Sequence, residues 1–183
     1  MSGDHVALHL DNLCKSFGRI LAVDHLSLEI QAGQMVGFLG PNGAGKSTSL
    51  YMISRLIRPS GGIIRIFGSD VWKDYKKAIH HVGIMSEMPS FYKYLSGRKN
   101  MELIARLRGY SDQRQIDEIL EKVGLFKRRK DKVATYSQGM KQRLGLGMAL
   151  VGKPKLLILD EPTNGLDPEG TWEILHFLRE KIK

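Results

Sequence analysis

Two short stretches of this sequence have the residue types and spacing to handle a phosphorylated ligand. Gly40-Pro41-Asn42-Gly43-Ala44-Gly45-Lys46-Ser47-Thr48 satisfies G-x-x-x-x-G-K-[ST]. In such a loop glycines let the backbone wrap closely around phosphate oxygens with its N–H groups turned inward. Lys46 would reach the β- and γ-phosphates of a nucleotide, and Ser47 would offer its hydroxyl oxygen to Mg2+. A helix starting directly after the loop adds the partial positive charge of its N-terminus. The second stretch, Leu156-Leu157-Ile158-Leu159-Asp160-Glu161, is an apolar run that delivers two carboxylates at one end. Successive strand residues face opposite ways, so the two acids have different tasks. Asp160 suits the Mg2+ shell through water, because Mg2+ gives up its waters reluctantly. Glu161 suits polarising an attacking water as a general base. A chance glycine turn and a strand ending at a charged surface are the plainer accounts of each stretch alone. The two together point to a nucleotide-binding site.

Positioning these groups takes a strand into the loop and a helix out of it. Residues 35–39, MVGFL, read as a buried strand. Leu50, Ile53, Leu56 and Ile57 repeat at helical spacing up to Pro59-Ser60-Gly61-Gly62, which stops the helix. Upstream, Val6, Leu8 and Leu10 alternate with polar residues, as do Leu26, Leu28 and Ile30, so both segments read as half-buried strands. Residues 63–67 and 82–85 are further strand candidates. From about Leu95 to Leu150 the pattern turns helical. Met101, Ile104 and Leu107 mark one amphipathic helix closed by Gly109; Ile116, Ile119, Leu120 and Val123 mark another closed by Gly124. After the apolar strand 156–159, a last helix opens at Pro168 with Asp167 as its cap, and sets Ile174, Leu175, Leu178 and Ile182 on one face. The layout is an α/β core interrupted by a helical insert.

Composition narrows the class. The 183 residues are 42% apolar and 26% charged, which provides a core and argues against wholesale disorder. Lys and Arg number 28 against 19 acidic residues, a net charge of +9 that suits phosphorylated ligands, anionic lipid or nucleic acid without choosing among them. The densest basic run, Lys127-Arg128-Arg129-Lys130-Asp131-Lys132, is short and mixed, and reads as a solvated loop rather than a nucleic-acid arm. No apolar run approaches the roughly 18 residues of a membrane span. The N-terminal residues MSGDHVALHL show no leader pattern. A single cysteine, Cys14, forms no internal disulfide and fits a reducing compartment.

Between the loop and the acidic strand lies Tyr136-Ser137-Gln138-Gly139-Met140-Lys141-Gln142-Arg143-Leu144, and after the strand Asn164-Gly165-Leu166-Asp167-Pro168. The first resembles the signature segment of ATP-binding-cassette (ABC) proteins, and the second is similar to the loop after their acidic strand. The resemblance implies an α/β P-loop NTPase (RecA-like) core with an N-terminal antiparallel β subdomain and an inserted helical subdomain. It implies one ATP-binding domain over 1–183: residues 1–87 and 151–183 forming the core and β subdomain, residues 88–150 the helical signature subdomain. The implied ligands are ATP and Mg2+. It also implies a second ATP-binding subunit packed head to tail, with each nucleotide between the loop of one copy and the signature of the other. Ser137 and Gly139 would then touch the γ-phosphate held by the partner, and Asp167 would align the two sites. Phe17, in Lys15-Ser16-Phe17-Gly18, would stack on adenine; an ordinary core phenylalanine is the plainer account. A separate membrane permease is implied, met by the helical lobe, with Phe91, Tyr92, Tyr94 and Leu95 as either a docking surface or a packed cluster. No nucleic-acid partner is expected, and the implied location is the cytoplasm, peripheral on the cytoplasmic face of the cell membrane.

Three departures from the family pattern carry information. The commonest signature reads Leu-Ser-Gly-Gly-Gln; here Gln138 and Met140 stand at one glycine and at the final glutamine, while Ser137 and Gly139 are kept. This variant resembles the drug, antibiotic and polysaccharide exporter branch. Glu87 stands where the family usually places a glutamine after the strand 82–85, which resembles bacteriocin and peptide-antibiotic immunity exporters; a carboxylate there can still ligate Mg2+. The family's switch histidine has no counterpart among His5, His9, His25, His80, His81 and His176, of which only His176 follows Glu161, inside the last helix. The expectation is a C-terminally truncated cassette with its last core strands missing, in which ATP binding is kept and hydrolysis is weak or absent. The function implied is an ATP-hydrolysing subunit that drives an exporter; a soluble cassette ATPase acting on ribosomes or DNA, or a non-catalytic ATP-binding remnant, are the alternatives.

Overall fold

The alternating residues of the N-terminal segments form strands as their pattern predicts. In the computed structural model, which describes residues 6–110 and 112–182, β1 (Val6–Phe17) and β2 (Ile20–Gln31) pair antiparallel, with Leu8 opposite Ile30 and Leu10 opposite Leu28. β1 also pairs antiparallel with β3 (Gly61–Ile66), and β3 with β4 (Ser69–Asp70), giving the order β2-β1-β3-β4. Leu10, Leu13, Ile64 and Ile66 are buried in this sheet, and Met52 of α1 (Lys46–Ile53) is buried with them. A short helix, α2 (Tyr75–Ile79), completes the first of two compact units, Met1–Val82.

Two sequence expectations fail in this unit. Residues 35–39 form no strand, and Met35, Val36, Phe38 and Leu39 are exposed, Leu39 to 92%. A strand is held by ladder hydrogen bonds to a neighbour, and no ladder partner lies along these residues among the described ones. The helix after the loop stops at Ile53 rather than near Ile57: Ser54 is its cap and Arg55 turns into the left-handed region at φ 62°. The Arg55 guanidinium lies 4.3 Å from the Tyr75 ring centroid and 5.2 Å from that of Trp72, so cation–π contacts hold the turn and Leu56 is left exposed.

The second unit, Gly83–Lys183, carries the helices. β5 (Val82–Met85), which begins at the unit boundary, pairs with β6 (Leu156–Leu159). Around them lie α3 (Gly97–Leu107), α4 (Gln113–Lys122), α5 (Gln138–Leu150) and α6 (Pro168–Ile182). Each helix start has a side-chain cap of the kind that satisfies an orphan amide: Lys99 N donates to Ser96 Oγ at 3.2 Å, Arg114 N to Asp112 Oδ1 at 2.9 Å, Met140 N to Ser137 Oγ at 3.2 Å and Gly170 N to Asp167 Oδ1 at 2.8 Å. The Asp167 cap was expected. Met101, Ile116, Leu120, Leu125, Leu144 and Leu146 are fully buried at the centre. Arg98 ties α3 to α4, donating to Glu102 Oε1 at 2.7 Å and to both Asp117 oxygens at 3.1 and 3.0 Å.

The buried stripe of α3 runs through Met101 and Ala105, with Ile104 packed alongside; Leu107, expected on that face, is 83% exposed. Spacing by three drifts off a face that repeats every 3.6 residues. In β6 only Ile158 is fully buried, so that strand is less enclosed than its apolar run suggests. On α6, Ile174 and Leu178 are buried and Leu175 faces solvent, while the Ile182 side chain lies outside the described residues. Among the described residues no helix is long and apolar enough to cross a membrane. Leu120→Ala should lower the unfolding free energy by about 2–5 kcal/mol, and Leu107→Ala by no more than about 0.5 kcal/mol. Urea midpoints measure both, and equal losses would contradict this account of the stripe.

Candidate functional site

The first unit holds the glycine loop. Residues 41–45 turn directly into α1, as the spacing predicts, and Gly43 and Gly45 both take φ 83°. Gly45 meets a second demand. A Cβ there would strike the carbonyl oxygen of Ala22 and stand 3.0 Å from Val23 Cγ2, so only glycine lets the loop lie on β2. Ala44 N donates to Pro41 O at 3.2 Å, which closes the turn. Lys46 Nζ donates to Gly40 O at 2.7 Å and to Pro41 O at 2.9 Å, so its ammonium is folded back onto the loop itself. Gly40, Pro41, Asn42, Gly43 and Ala44 are exposed; Lys46, Ser47 and Thr48 are half-buried in the first turn of α1, which contains no acidic residue. A cation, a hydroxyl and an unneutralised helix N-terminus on an open loop fit a polyphosphate with its Mg2+. Phe17 is exposed at the end of β1, with Lys15 Nζ 4.8 Å from its ring centroid, so it is not a core residue.

The second unit holds Glu87, Ser137, Gly139, Asp160, Glu161 and Asp167. Asp160, at the end of β6, is buried, and its amide donates to Met85 O at 2.9 Å. Glu161 is exposed and takes φ 49°, a conformation that non-glycine residues adopt only when their surroundings enforce it. The enforcing contact is one that sequence reasoning missed. Gln142, fully buried on α5, donates from Nε2 to Glu161 O at 2.9 Å, and Asn164 N donates to the same oxygen at 3.0 Å. The signal was present in the sequence: Gln142 shares a helix face with Leu146 and Ala149, both buried, and a polar side chain on an apolar stripe needs a partner. Glu87 is half-buried just past β5.

The start of α5 packs on the loop after the acidic strand. Ser137 is exposed and caps the helix; a Cβ on Gly139 would stand 3.1 Å from Leu166 Cδ2, and one on Gly165, at φ 74°, 2.8 Å from Gln138 Cγ. Asp167 is exposed, with its carboxylate committed to the α6 cap. Tyr136 anchors the segment from below: buried, it donates from its hydroxyl to Arg128 O at 2.9 Å. The basic run beside it is a surface loop, as expected, with the Arg129 guanidinium 3.7 Å from the Phe126 ring centroid and an Arg128–Asp131 ion pair at 2.7 Å. The aromatic loop is divided: Phe91 packs against the core, while Tyr92 and Tyr94 are exposed and stand edge to face at 6.0 Å. Asn100 anchors it, accepting from Tyr92 N at 2.9 Å and donating to Tyr92 O at 3.1 Å.

A phosphate-wrapping loop in the first unit and a capped signature helix joined to an acidic strand end in the second define a nucleotide-binding cassette. The family model described as "ABC transporter" matches residues 23–164, and the chain belongs to that family. It is 49% identical over 173 residues to the uncharacterized ABC transporter ATP-binding protein YhcH of Bacillus subtilis, covering 94% of this chain and 57% of that protein. It is 44% identical to the bacitracin transport ATP-binding protein BcrA of Bacillus licheniformis, covering 94% of this chain and 56% of the relative. It is 39% identical to the daunorubicin/doxorubicin resistance ATP-binding protein DrrA of Streptomyces peucetius, covering 94% and 54%. The chain thus spans little more than half the length of these relatives. Among solved structures, an ATP-binding subunit of an ABC transporter superposes with a TM-score of 0.86 at 28% identity, covering 96% of this chain and 75% of that one. A dimeric cassette in a post-hydrolysis state, bound to ADP and phosphate, shares the fold at a TM-score of 0.87 and 24% identity, covering 96% and 83%. The α/β cassette fold expected from the sequence is the observed one.

Burial pushes the Tyr136 hydroxyl pKa up, Asp131 adds to the rise and Arg128 opposes it. A raised pKa in the folded state stabilises the protein fully below the unfolded value, about 10, and that contribution is lost as pH rises through the folded value. Urea unfolding should therefore become easier as the pH climbs past about 10. Tyr136→Phe should cost on the order of 1 kcal/mol at neutral pH and reduce this alkaline decline. An unchanged decline in the variant would show that another group causes it.

Proposed function

We propose that this chain belongs to the nucleotide-binding cassette of an ABC exporter, which binds and hydrolyses ATP with Mg2+ and drives separate membrane subunits; residues 1–183 themselves, in which no histidine stands at the switch position, keep ATP binding with weak or absent hydrolysis. The observation that carries the reading is the loop itself, with two left-handed glycines in an open turn that leads into the Lys46 cation and an acid-free helix start. Relatives whose names mention bacitracin transport and daunorubicin/doxorubicin resistance support the exporter branch.

The residue roles follow from chemistry. Amides of Gly43 and Gly45, with Lys46, bind the phosphates, the Ala44 amide holds the turn closed on Pro41 O, and Ser47 and Thr48 complete the first helical turn. Phe17 offers an exposed ring for adenine. Ser47 in the first unit offers an oxygen ligand to Mg2+, which when bound neutralises phosphate charge; in the second unit Asp160, through water, and Glu87 are the carboxylates suited to an Mg2+ shell. Glu161 orients and deprotonates water, its backbone held by Gln142. Ser137 and Gly139, on an exposed helix start, cover the nucleotide held by a second copy, so a head-to-tail pair is the working unit, with Asp167 at the junction. Residues 1–87 and 151–183 serve as the nucleotide core, and 88–150 as the signature lobe. Tyr92 and Tyr94 on that lobe, both exposed, offer the permease an aromatic landing point, which supports a peripheral location on the cytoplasmic membrane face.

ATP-driven pairing tests this reading. In this chain, Glu161→Gln should bind ATP without turnover and form a stable pair, seen by analytical ultracentrifugation. Adding Ser137→Ala should weaken the pair at least about tenfold while leaving ATP binding to single copies intact, the loss of one charge-assisted hydrogen bond at each of two sites. A Glu161→Gln protein that stays monomeric with saturating ATP would overturn it.

A further inference from the structure

A break in the β1–β2 ladder gathers three metal-ligating side chains that the nucleotide site does not use. Leu13 faces Leu26 and Lys15 faces Val23, so Cys14 on β1 stands opposite two residues, Asp24 and His25, on β2. This is a bulge, in which an extra residue on one strand re-aims its side chains. His25 takes φ 44° at the bulge. The consequence is that one donor atom from each of Cys14, Asp24 and His25 lies within 4.8 Å of the others. His25 Nδ1 is 2.6 Å from Asp24 Oδ1, and the His25 backbone N–H donates to Cys14 Sγ at 3.3 Å.

We infer that Cys14, Asp24 and His25 form a surface site for a single divalent cation of the Zn2+ class. The donor set chooses the metal: a sulfur and an imidazole favour Zn2+ or Co2+, whereas Mg2+ and Ca2+ take oxygen ligands alone. Zn–S near 2.3 Å and Zn–N or Zn–O near 2.0–2.2 Å put tetrahedral ligands roughly 3.3–3.7 Å apart, so the metal would open the 2.6 Å contact between His25 Nδ1 and Asp24 Oδ1 and draw in any donor near the 4.8 Å limit, changes that exposed side chains make by rotation. Binding replaces the Cys14 S–H proton, which is donated to Asn12 O at 3.4 Å in the metal-free protein and leaves to solvent, and the His25 N–H already pointing at Sγ stabilises the resulting thiolate. Asp24 and His25 are exposed and Cys14 is half-buried, so water reaches the fourth position and the site is open rather than a closed structural centre. It adjoins Ala22 and Val23, the stretch of β2 on which Gly45 lies.

The test is a titration of reduced, nucleotide-free, untagged protein with Co2+ and with Zn2+. One equivalent of Co2+ should bind and produce a thiolate-to-cobalt charge-transfer band in the near ultraviolet, and Zn2+ should displace it. Cys14→Ser should abolish the band. Asp24→Asn and His25→Ala, both on exposed positions of the hairpin and checked for unchanged circular dichroism, should each weaken Zn2+ affinity about tenfold or more. His176→Ala should leave affinity and band unchanged. The inference is overturned if wild-type protein gives no band, if the band survives Cys14→Ser, or if affinity is unaltered in the Asp24 and His25 variants.

Discussion

A glycine forced against a strand sets the glycine loop. Gly45 lies so close to the Ala22 carbonyl that no side chain fits, and its left-handed backbone turns the chain straight into α1. That one approach fixes where the helix N-terminus points and where Lys46 begins. The ammonium then reaches back over the turn to the Gly40 and Pro41 carbonyls, so the cation lies against the exposed part of the loop. β2 is therefore the floor of the loop, and the antiparallel sheet of the first unit serves chiefly to hold that floor.

The second unit is organised by one helix. α5 starts at Ser137, whose hydroxyl caps it, and carries Gln142, whose amide grips the Glu161 carbonyl. The surface proposed to cover a partner's nucleotide begins α5, and the acid proposed to activate water, two residues past β6, is tied to the same helix through Gln142. Burying Gln142 costs desolvation that its one hydrogen bond only partly offsets, since Oε1 has no partner among the described residues. What that expense secures is the left-handed backbone of Glu161, a conformation the residue would not hold unaided.

Features fixed by local chemistry were legible in the sequence. The glycine loop, the acidic pair, the Asp167 cap and the stripe of Ile116, Ile119, Leu120 and Val123 depend on neighbours a few residues away, and all stand where the pattern puts them. Features that need a distant partner were not. An apolar run at 35–39 says nothing of whether a neighbouring strand exists to pair with it, and here none does among the described residues. The helix after the loop ends early because Arg55 finds Tyr75 and Trp72, a contact no period reveals. Gln142 and Glu161 are 19 positions apart, and Cys14 meets Asp24 and His25 only because the ladder slips by one residue.

The most direct test of the account is the affinity of nucleotide-free protein for ATP by calorimetry, with and without Lys46→Met. The substitution keeps an unbranched side chain one atom shorter and removes its charge. The account predicts that affinity falls by roughly tenfold or more, the value of about 1.5–3 kcal/mol for a hydrogen bond to a charged group. Equal affinity in the two proteins would contradict it.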